Sequence, residues 1–152
     1  MLATGPTASA KLEPTKGNTA QGDVRFATRG SKVLVVAKVS GLTPGSHGFH
    51  IHEKGDCSSG DGMSAGGHFN PLSKPHGAPT TMERHAGDMP QLVADASGNA
   101  SLSTELDIMT IGSGAADIVG KAVIVHKDPD DYTTQPTGNA GARLACGVIT
   151  KS

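Results

Sequence analysis

The chain has very few aromatic residues: no tryptophan, one tyrosine and three phenylalanines among 152 residues. Its core must therefore be built from Val, Leu, Ile and Ala side chains. A basic surplus is also missing, since 13 Lys and Arg residues against 14 Asp and Glu residues give a formal net charge of −1. Nucleic-acid-binding domains usually carry such a surplus, so the charge balance argues against a nucleic-acid partner.

Long apolar segments are absent as well. The longest apolar runs, residues 33–37 and 122–125, fall far short of the roughly 20 residues that a membrane-spanning helix needs. We therefore expect no membrane span. Residues 1–10 have neither a charged start nor an apolar stretch, so we expect no signal peptide within this chain. The length and the lack of a linker or repeat predict a single domain over residues 1–152.

What the sequence does contain is a repeated period-two pattern. Short segments alternate apolar and polar residues, as half-buried strands do, and Gly-rich turns separate them. No stretch shows a helical period with caps. These features predict an all-β antiparallel sandwich or barrel. The predicted strands lie near residues 8–12, 24–28, 33–39, 47–52, 92–96, 102–106, 122–125 and 144–149.

Two long gaps interrupt the predicted strands, at residues 53–90 and 127–141. A loop as long as the first is uncommon in a small domain unless something orders it. One ordering element is a cysteine in the loop, Cys57, with Cys146 near the C-terminus as its candidate partner. The other is metal binding, because the chain contains seven histidines, an unusual number for its length.

His50 and His52 lie two residues apart on a predicted strand, so both imidazoles face the same side. Phe49 and Ile51 occupy the opposite face, which should point to the core. The two histidines then face outward, where the long loop can cover them as metal ligands. Two unrelated surface histidines are the simpler alternative. We expect His47, on the core face, to be a structural histidine.

A set of metal-ligand residues lies inside the first loop. Three imidazoles and one carboxylate suit a tetrahedral zinc ion with no coordination position left for water. Such an ion would order the loop, although a polar loop that is merely rich in histidine is the alternative. The four residues are His68, His76, His85 and Asp88.

His126 ends an apolar strand where the second loop begins. Alone it would be an ordinary polar strand end, but with His50 and His52 it supplies three imidazoles, which suit copper. A fourth nitrogen is available if His68 is shared, because a deprotonated imidazole binds one metal through each ring nitrogen. The chain would then hold one copper ion and one zinc ion.

The residues around these histidines resemble the copper-zinc superoxide dismutases, and the resemblance extends from about residue 8 to residue 149. It is carried by residues 48–53 (GFHIHE), 67–71 (GHFNP), 84–88 (RHAGD), 125–126 (VH) and 138–149 (GNAGARLACGVI). The resemblance implies an eight-stranded Greek-key β-barrel with two long functional loops. It also implies an enzyme that converts superoxide into oxygen and hydrogen peroxide with one copper and one zinc ion per subunit.

The resemblance assigns a role to individual residues. It places copper on His50, His52, His68 and His126, and zinc on His68, His76, His85 and Asp88. It implies a disulfide between Cys57 and Cys146, an active-site arginine at Arg143, and a channel-lining threonine at Thr137. The shared ligand, His68, would deliver a proton to the peroxide.

The resemblance also implies an aspartate that links a copper histidine to a zinc histidine. Asp130, four residues after His126, occupies the matching position. Its expected partners are His50 and His76. The neighbouring Asp128 and Asp131 are alternatives for this role. Separately, Lys74 and Lys127 could add positive charge that attracts the anion, but the sequence does not show where they lie.

Some features favour a bacterial member of the family. Cys57 follows His52 by five residues, closer than in the animal cytosolic enzymes, and the second loop is shorter than theirs. A disulfide usually indicates an oxidising compartment, so we expect a periplasmic or secreted enzyme, with the cytoplasm as the alternative. Because family members are mostly dimers, we expect a homodimer.

Two other functions fit parts of the pattern. A non-catalytic domain that delivers or stores copper would be expected to lack a copper ligand or Arg143, and this sequence has both. A zinc hydrolase needs an open zinc position and a general base. The predicted zinc site is closed, and Glu53 is the only obvious candidate base. The sequence therefore favours the dismutase.

Overall fold

The computed structural model describes residues 3–78, 84–132, 134–135, 138 and 140–152, so Thr137 lies outside the described residues. Within them the chain forms ten strands and one short 3-10 helix. The strands are β1 (Thr7–Pro14), β2 (Gln21–Arg29), β3 (Lys32–Ser40), β4 (Gly45–His47), β5 (Phe49–His52), β6 (Leu92–Ala94), β7 (Ala100–Leu106), β8 (Ala122–His126), β9 (Arg143–Val148) and β10 (Thr150–Lys151), and the helix is Met63–Ala65.

Alternation along the strands builds the core. On β3, Val33, Val35 and Ala37 are buried, while the residues between them are more exposed. The aromatic rings of Phe26 on β2 and Phe49 on β5 are fully buried. Since burying one such large apolar side chain contributes roughly 1.5–3 kcal/mol, this alternation supplies the main stabilisation of the sheet.

Eight strands form one sheet in the order β5-β8-β9-β1-β2-β3-β7, with β10 paired to β1, and β4 and β6 form a separate pair. All of these pairings are antiparallel. Strands β1, β2 and β3 are neighbours in the sheet and also follow one another in the chain, and the same is true of β8 and β9. The other neighbouring strands are not consecutive in the chain. The predicted all-β antiparallel fold class is confirmed.

Two of the predicted strands differ in detail. The segment near residues 47–52 divides at Gly48 into β4 and β5, because the backbone of Gly48 bonds to Asp128 and His126 instead of continuing one ladder. The strand predicted to reach residue 96 ends at Ala94. There Asp95 starts a turn, and its Oδ1 accepts hydrogen bonds from backbone N–H groups two and four residues on.

The first long loop returns to the free edge of β5. The N–H of Phe69 donates to the carbonyl of Ile51 (2.7 Å), and the N–H of Ile51 donates to the carbonyl of Gly87 (2.9 Å). Isolated bridges also pair His50 with Asp88 and His52 with His68. The loop therefore lies along the free edge of β5, and His50 and His52, which period two places on one face, are both fully buried.

Candidate metal centre

Three histidines lie on the adjoining strands β5 and β8. His50 and His52 belong to β5, and His126 ends β8, which pairs with β5. All three are at most 3% exposed. Phe49 and Ile51 point to the other side of β5 and belong to the main core. The strands thus bring the three predicted copper ligands together on one face.

Hydrogen bonds fix which ring nitrogen of His52 and His126 carries a proton. His52 Nδ1 donates to the carbonyl of Gly66 (2.8 Å), and His126 Nδ1 donates to the carbonyl of Gly141 (3.2 Å). A neutral imidazole has one N–H, so both Nε2 atoms present lone pairs. These two atoms face each other at 3.4 Å. Two facing lone pairs suit a shared metal ion.

The rings of His50 and His68 complete the group of four. Among the described residues, His50 Nδ1 and His68 Nε2 are buried without a hydrogen-bond partner. The two rings stack with their centroids 3.9 Å apart. A buried polar atom without a partner is costly, and one ligand atom from each of His50, His52, His68 and His126 lies within 4.8 Å of the others. These nitrogens form a set that suits copper.

One carboxylate oxygen of Asp88 lies close to three histidines of the loop. Its Oδ1 lies 2.9 Å from His68 Nδ1, 3.0 Å from His76 Nδ1 and 3.4 Å from His85 Nδ1. The Nδ1 atoms of His68 and His85 are 3.2 Å apart. Bonds of about 2.0–2.1 Å from a tetrahedral zinc put neighbouring ligand atoms about 3.3 Å apart, so this set has the right spacing for zinc.

Asp130 joins the two groups. Its Oδ2 accepts a hydrogen bond from His50 Nε2 (2.6 Å), and its Oδ1 accepts one from His76 Nε2 (2.7 Å). The carboxylate is buried, whereas Asp128 and Asp131 are exposed. Of the three neighbouring aspartates, the structure therefore places Asp130 between a histidine of each group.

The four histidines of the first group are neutral at neutral pH. Burial lowers the pKa of His50, and it lowers the pKa of His52 and of His126 further. Burial also lowers the pKa of His68 to about 3, although its hydrogen bond to Asp88 acts in the opposite direction. Neutral imidazole is the form that binds metal, so the group needs little proton release to accept an ion.

The loop group is electrostatically different because it contains carboxylates. Burial acts to lower the pKa of His76, but hydrogen bonds to Asp130 and Asp88 outweigh burial and raise the pKa to about 9. Burial acts to raise the pKa of Asp88, and hydrogen bonds from His68 and His76 hold it far below the usual range instead. The loop group thus carries paired charges that stabilise it without an ion.

Arg143 begins β9 and lies next to the short helix. Its Nη1 donates to the carbonyl of Gly62 (2.8 Å). A Cβ atom at Gly62, where φ is +79°, would lie 2.9 Å from the Arg143 Cβ, so glycine permits this close approach. Burial is the main cause of the lowered pKa of His52 and His126, and the charge of Arg143 acts in the same direction.

The predicted disulfide is present. Cys57 in the long loop is bonded to Cys146 on β9, with a sequence separation of 89. In the chain-entropy model, closing a loop of this length contributes about 4–5 kcal/mol to the free energy of unfolding. The bond ties the loop that carries His68 to the sheet.

His47 has the structural role that the sequence predicted. Its side chain is buried, its Nδ1 lies 2.9 Å from the carbonyl oxygen of His126, and its Nε2 lies 2.7 Å from the carbonyl oxygen of Thr43. It therefore supports the backbone of a histidine in the first group, and neither of its nitrogens is available to an ion.

Sequence reasoning missed several side chains that hold the loop group. Gln135 clamps the backbone of His76, since its Oε1 accepts from the His76 N–H (2.6 Å) and its Nε2 donates to the His76 carbonyl (2.8 Å). Arg84 is buried and its Nη2 donates to Asp107 Oδ1 (2.6 Å). The one available signal was that Arg84 directly precedes the predicted ligand His85.

Comparison with known proteins agrees with this geometry. A family model described as copper/zinc superoxide dismutase matches residues 20–149. The Cu-Zn superoxide dismutase 2 of Mesembryanthemum crystallinum is 47% identical over 139 residues, covering 87% of this chain and 88% of that protein. The extracellular Cu-Zn superoxide dismutase of Caenorhabditis elegans is 43% identical over 134 residues, covering 84% of this chain and 60% of that protein.

A solved structure gives the same result at the level of the fold. The crystal structure of the clock protein EA4 matches with a TM-score of 0.88 and 40% sequence identity, and the match covers 99% of this chain and 97% of that chain. This chain belongs to the copper/zinc superoxide dismutase family. The plant and nematode relatives do not support the bacterial subclass that the position of Cys57 suggested.

Among the described residues, no helix is long and apolar enough to cross a membrane.

Proposed function

We propose that this chain is a superoxide dismutase that converts superoxide into oxygen and hydrogen peroxide with one copper ion and one zinc ion. The arrangement around His68 carries the proposal. Its Nε2 belongs to a group of four histidine nitrogens, and its Nδ1 lies 3.2 Å from His85 Nδ1 and 2.9 Å from Asp88 Oδ1. The family match over residues 20–149 supports the same reaction.

The residues present fit copper in the strand group. Copper, when bound, supplies the one-electron redox chemistry that zinc lacks. The chain's hydrogen bonds leave one lone pair on each ring for this ion. The ligand atoms would be Nδ1 of His50 and Nε2 of His52, His68 and His126.

The residues of the loop group fit zinc. Four protein ligands fill a tetrahedron and leave no position for water, so we assign zinc a structural role. Asp130 then orients one ligand of each ion, because it bonds to His50 and His76 on the nitrogens that face away from the ions. The zinc ligands would be Nδ1 of His68, His76 and His85 and Oδ1 of Asp88.

The chain must also supply a proton and attract a small anion. We assign the proton to His68 Nε2, which would take it up from solvent while this nitrogen is not bound to copper and would pass it to the peroxide product, with Nδ1 remaining on the zinc side. Arg143 supplies a positive charge beside His52 and His126. Such a charge raises the association rate of an anion by roughly 10- to 1000-fold, and salt weakens the effect.

The compartment and assembly belong to the same proposal. The disulfide supports an oxidising compartment, either the periplasm or the cell exterior, and one relative is named an extracellular enzyme. The plant relatives keep the cytoplasm as the alternative. A single domain over residues 1–152, a homodimer, a channel role for Thr137 and the bacterial subclass stay predictions that rest on the sequence and its resemblance.

The test is the rate of superoxide decay with copper- and zinc-loaded protein at low and moderate salt. We expect fast decay that slows as salt rises. Arg143→Ala should lower the rate about 10-fold and flatten the salt dependence, because it removes the guiding charge. The matched control is Arg29→Ala, which removes the same charge from an exposed pair with Glu105 (3.6 Å) and should leave the rate near wild type.

An absence of decay with both metals bound would contradict the enzymatic proposal. It would favour a protein that delivers or stores copper.

A further inference from the structure

Asp130 belongs to a closed ring of hydrogen bonds with two residues that the proposed reaction does not use. The N–H of Asp130 donates to Gln91 Oε1 (2.9 Å), and the N–H of Gln91 donates to the hydroxyl oxygen of Tyr132 (3.0 Å). The N–H of Tyr132 in turn donates to Asp130 Oδ1 (2.8 Å). The ring connects the residue just before β6 to the loop that follows β8.

The backbone of Tyr132 adopts a conformation that bulky residues rarely have. Its φ is +61°, in the left-handed region, where a non-glycine residue with a large side chain is an outlier. Such strain persists only where surrounding contacts hold it, and it concentrates at functional sites. Here the strained turn points the Tyr132 N–H at Asp130 and the Tyr132 hydroxyl at Gln91.

Gly138 confines the Asp130 carboxylate from another side. Its φ is +76°, and a Cβ atom at this position would collide with Asp130 Oδ1 and with His76 Nε2. Because glycine leaves just enough room for the carboxylate, Asp130 has little freedom to rotate. Its two oxygens then accept from His50, from His76 and from the Tyr132 N–H.

We propose that Tyr132 and Gln91 are positioning residues that hold Asp130 in the one orientation in which a single carboxylate binds both His50 and His76. The Tyr132 hydroxyl thereby couples the geometry of the two metal groups without touching either ion. This inference rests on the proposed binding of copper and zinc.

The experiment compares Tyr132→Phe with wild type in two measurements that do not depend on activity. The first is the rate at which a chelator removes zinc from protein loaded with zinc alone. The second is the visible absorption spectrum of the copper ion in protein loaded with both metals. Loss of the hydrogen-bond partner of a metal ligand typically costs 10- to 100-fold in metal affinity. Tyr132 holds such a partner, Asp130, in place, so we expect the lower end of this range: zinc release should accelerate about 10-fold and the copper band should shift.

The matched control is Thr134→Ala, which removes a hydroxyl from the same loop. Within the described part of the chain, this hydroxyl bonds to Asp131 and to no residue of the ring. We expect wild-type zinc release and an unchanged copper spectrum for this control. Gln91→Ala is a second variant, which should reproduce the effects of Tyr132→Phe because it opens the same ring. It keeps the test decisive if the Phe variant fails to fold.

A double-mutant cycle shows whether the effect passes through Asp130. In an Asp130→Asn background, Tyr132→Phe should change zinc release no further, since contacting residues in one network are not additive. Additive effects would overturn the proposal, as would a Tyr132→Phe variant that melts earlier but keeps wild-type zinc release and copper absorption. A protein that passes these tests yet leaves superoxide unchanged would refute the proposed reaction and leave this inference intact.

Discussion

The two halves of the metal centre are built in different ways. The half that we propose for copper, called the copper half, is carried by strands, because His50 and His52 belong to β5 and His126 to β8. The half that we propose for zinc, called the zinc half, is carried by a loop, which contributes His76, His85 and Asp88 outside any strand. His68 also lies in that loop but reaches both halves.

Each half is stabilised by a different kind of interaction. The copper half consists of neutral, buried rings whose backbone positions are set by the sheet and whose lone pairs are left without donors. In the zinc half, carboxylates pair with imidazoles, and Asp88 Oδ2 also accepts from two backbone N–H groups, those of Gly77 and His85. A sheet can therefore present a metal site before any ion binds, whereas a loop needs its own charges to hold one.

The largest effect is expected from removing the charge at the centre of the zinc half. Asp88→Asn should lower zinc affinity more than about 100-fold, because losing a direct ligand exceeds the cost of losing an outer partner. Copper affinity should fall only a few-fold, since the strands remain. Asp23→Asn, an exposed charge removed from β2, is the control and should change neither value. Metal affinities come from competition with chelators, and equal loss at both sites would contradict the division into halves.

The mirror experiment removes a ligand from the copper half. His126→Ala should lower copper affinity about 100-fold, because three of four imidazoles remain. Zinc affinity should stay within a few-fold of wild type, as His126 bonds to no residue of the loop group in the described part of the chain. The same chelator competition measures both values. A large loss of zinc affinity would show that the strands also hold the loop.

A smaller effect is expected in the pH dependence of stability of the metal-free protein, to which His68 and His76 contribute in opposite directions. The pKa of His68 falls from 6.5 to about 3 on folding, so the unfolded chain binds more protons between these values and stability decreases as pH drops below 6.5. The pKa of His76 rises to about 9, so its contribution is complete below pH 6.5 and is lost as pH rises through 9. We expect the melting temperature to be highest near pH 6.5 and to fall on both sides.

Zinc loading should remove only the decline in melting temperature above pH 6.5. The ion takes the place of the proton on His76 Nδ1, so deprotonation above pH 6.5 no longer costs stability. Melting curves of metal-free and zinc-loaded protein between pH 4 and 10 provide the measurement. An alkaline decline that persists with zinc bound would show that His76 is not its cause.

The sequence predicts the strand half of the centre better than the loop half. Period two places His50 and His52 on one face regardless of distant contacts, and the structure shows both beneath the loop. Asp130 could be placed only by resemblance, because its partners lie 80 and 54 residues away in sequence. Gln91 and Tyr132 leave no local pattern at all, since their ring closes only after the sheet brings two loops together.

Two details of the fold, the break at Gly48 and the strand β10, were not predicted because they also leave no local pattern in the sequence. The break at Gly48 depends on backbone bonds to His126 at the end of β8 and to Asp128 in the second loop, which alternation of apolar residues cannot reveal. Strand β10, which pairs with β1, consists of the exposed polar residues Thr150 and Lys151, so it carries no hydrophobic signal. Alternation of apolar and polar residues predicts strands that bury one face, but it does not predict strands that are exposed on both faces.

The most direct test of the two-half account is anomalous X-ray diffraction from crystals of copper- and zinc-loaded protein, measured at the absorption edges of both elements. We predict copper against His68 Nε2, in contact with His50, His52 and His126. We predict zinc against His68 Nδ1, in contact with Asp88. A single ion, two ions within one group, or His68 bound to only one of them would contradict the account.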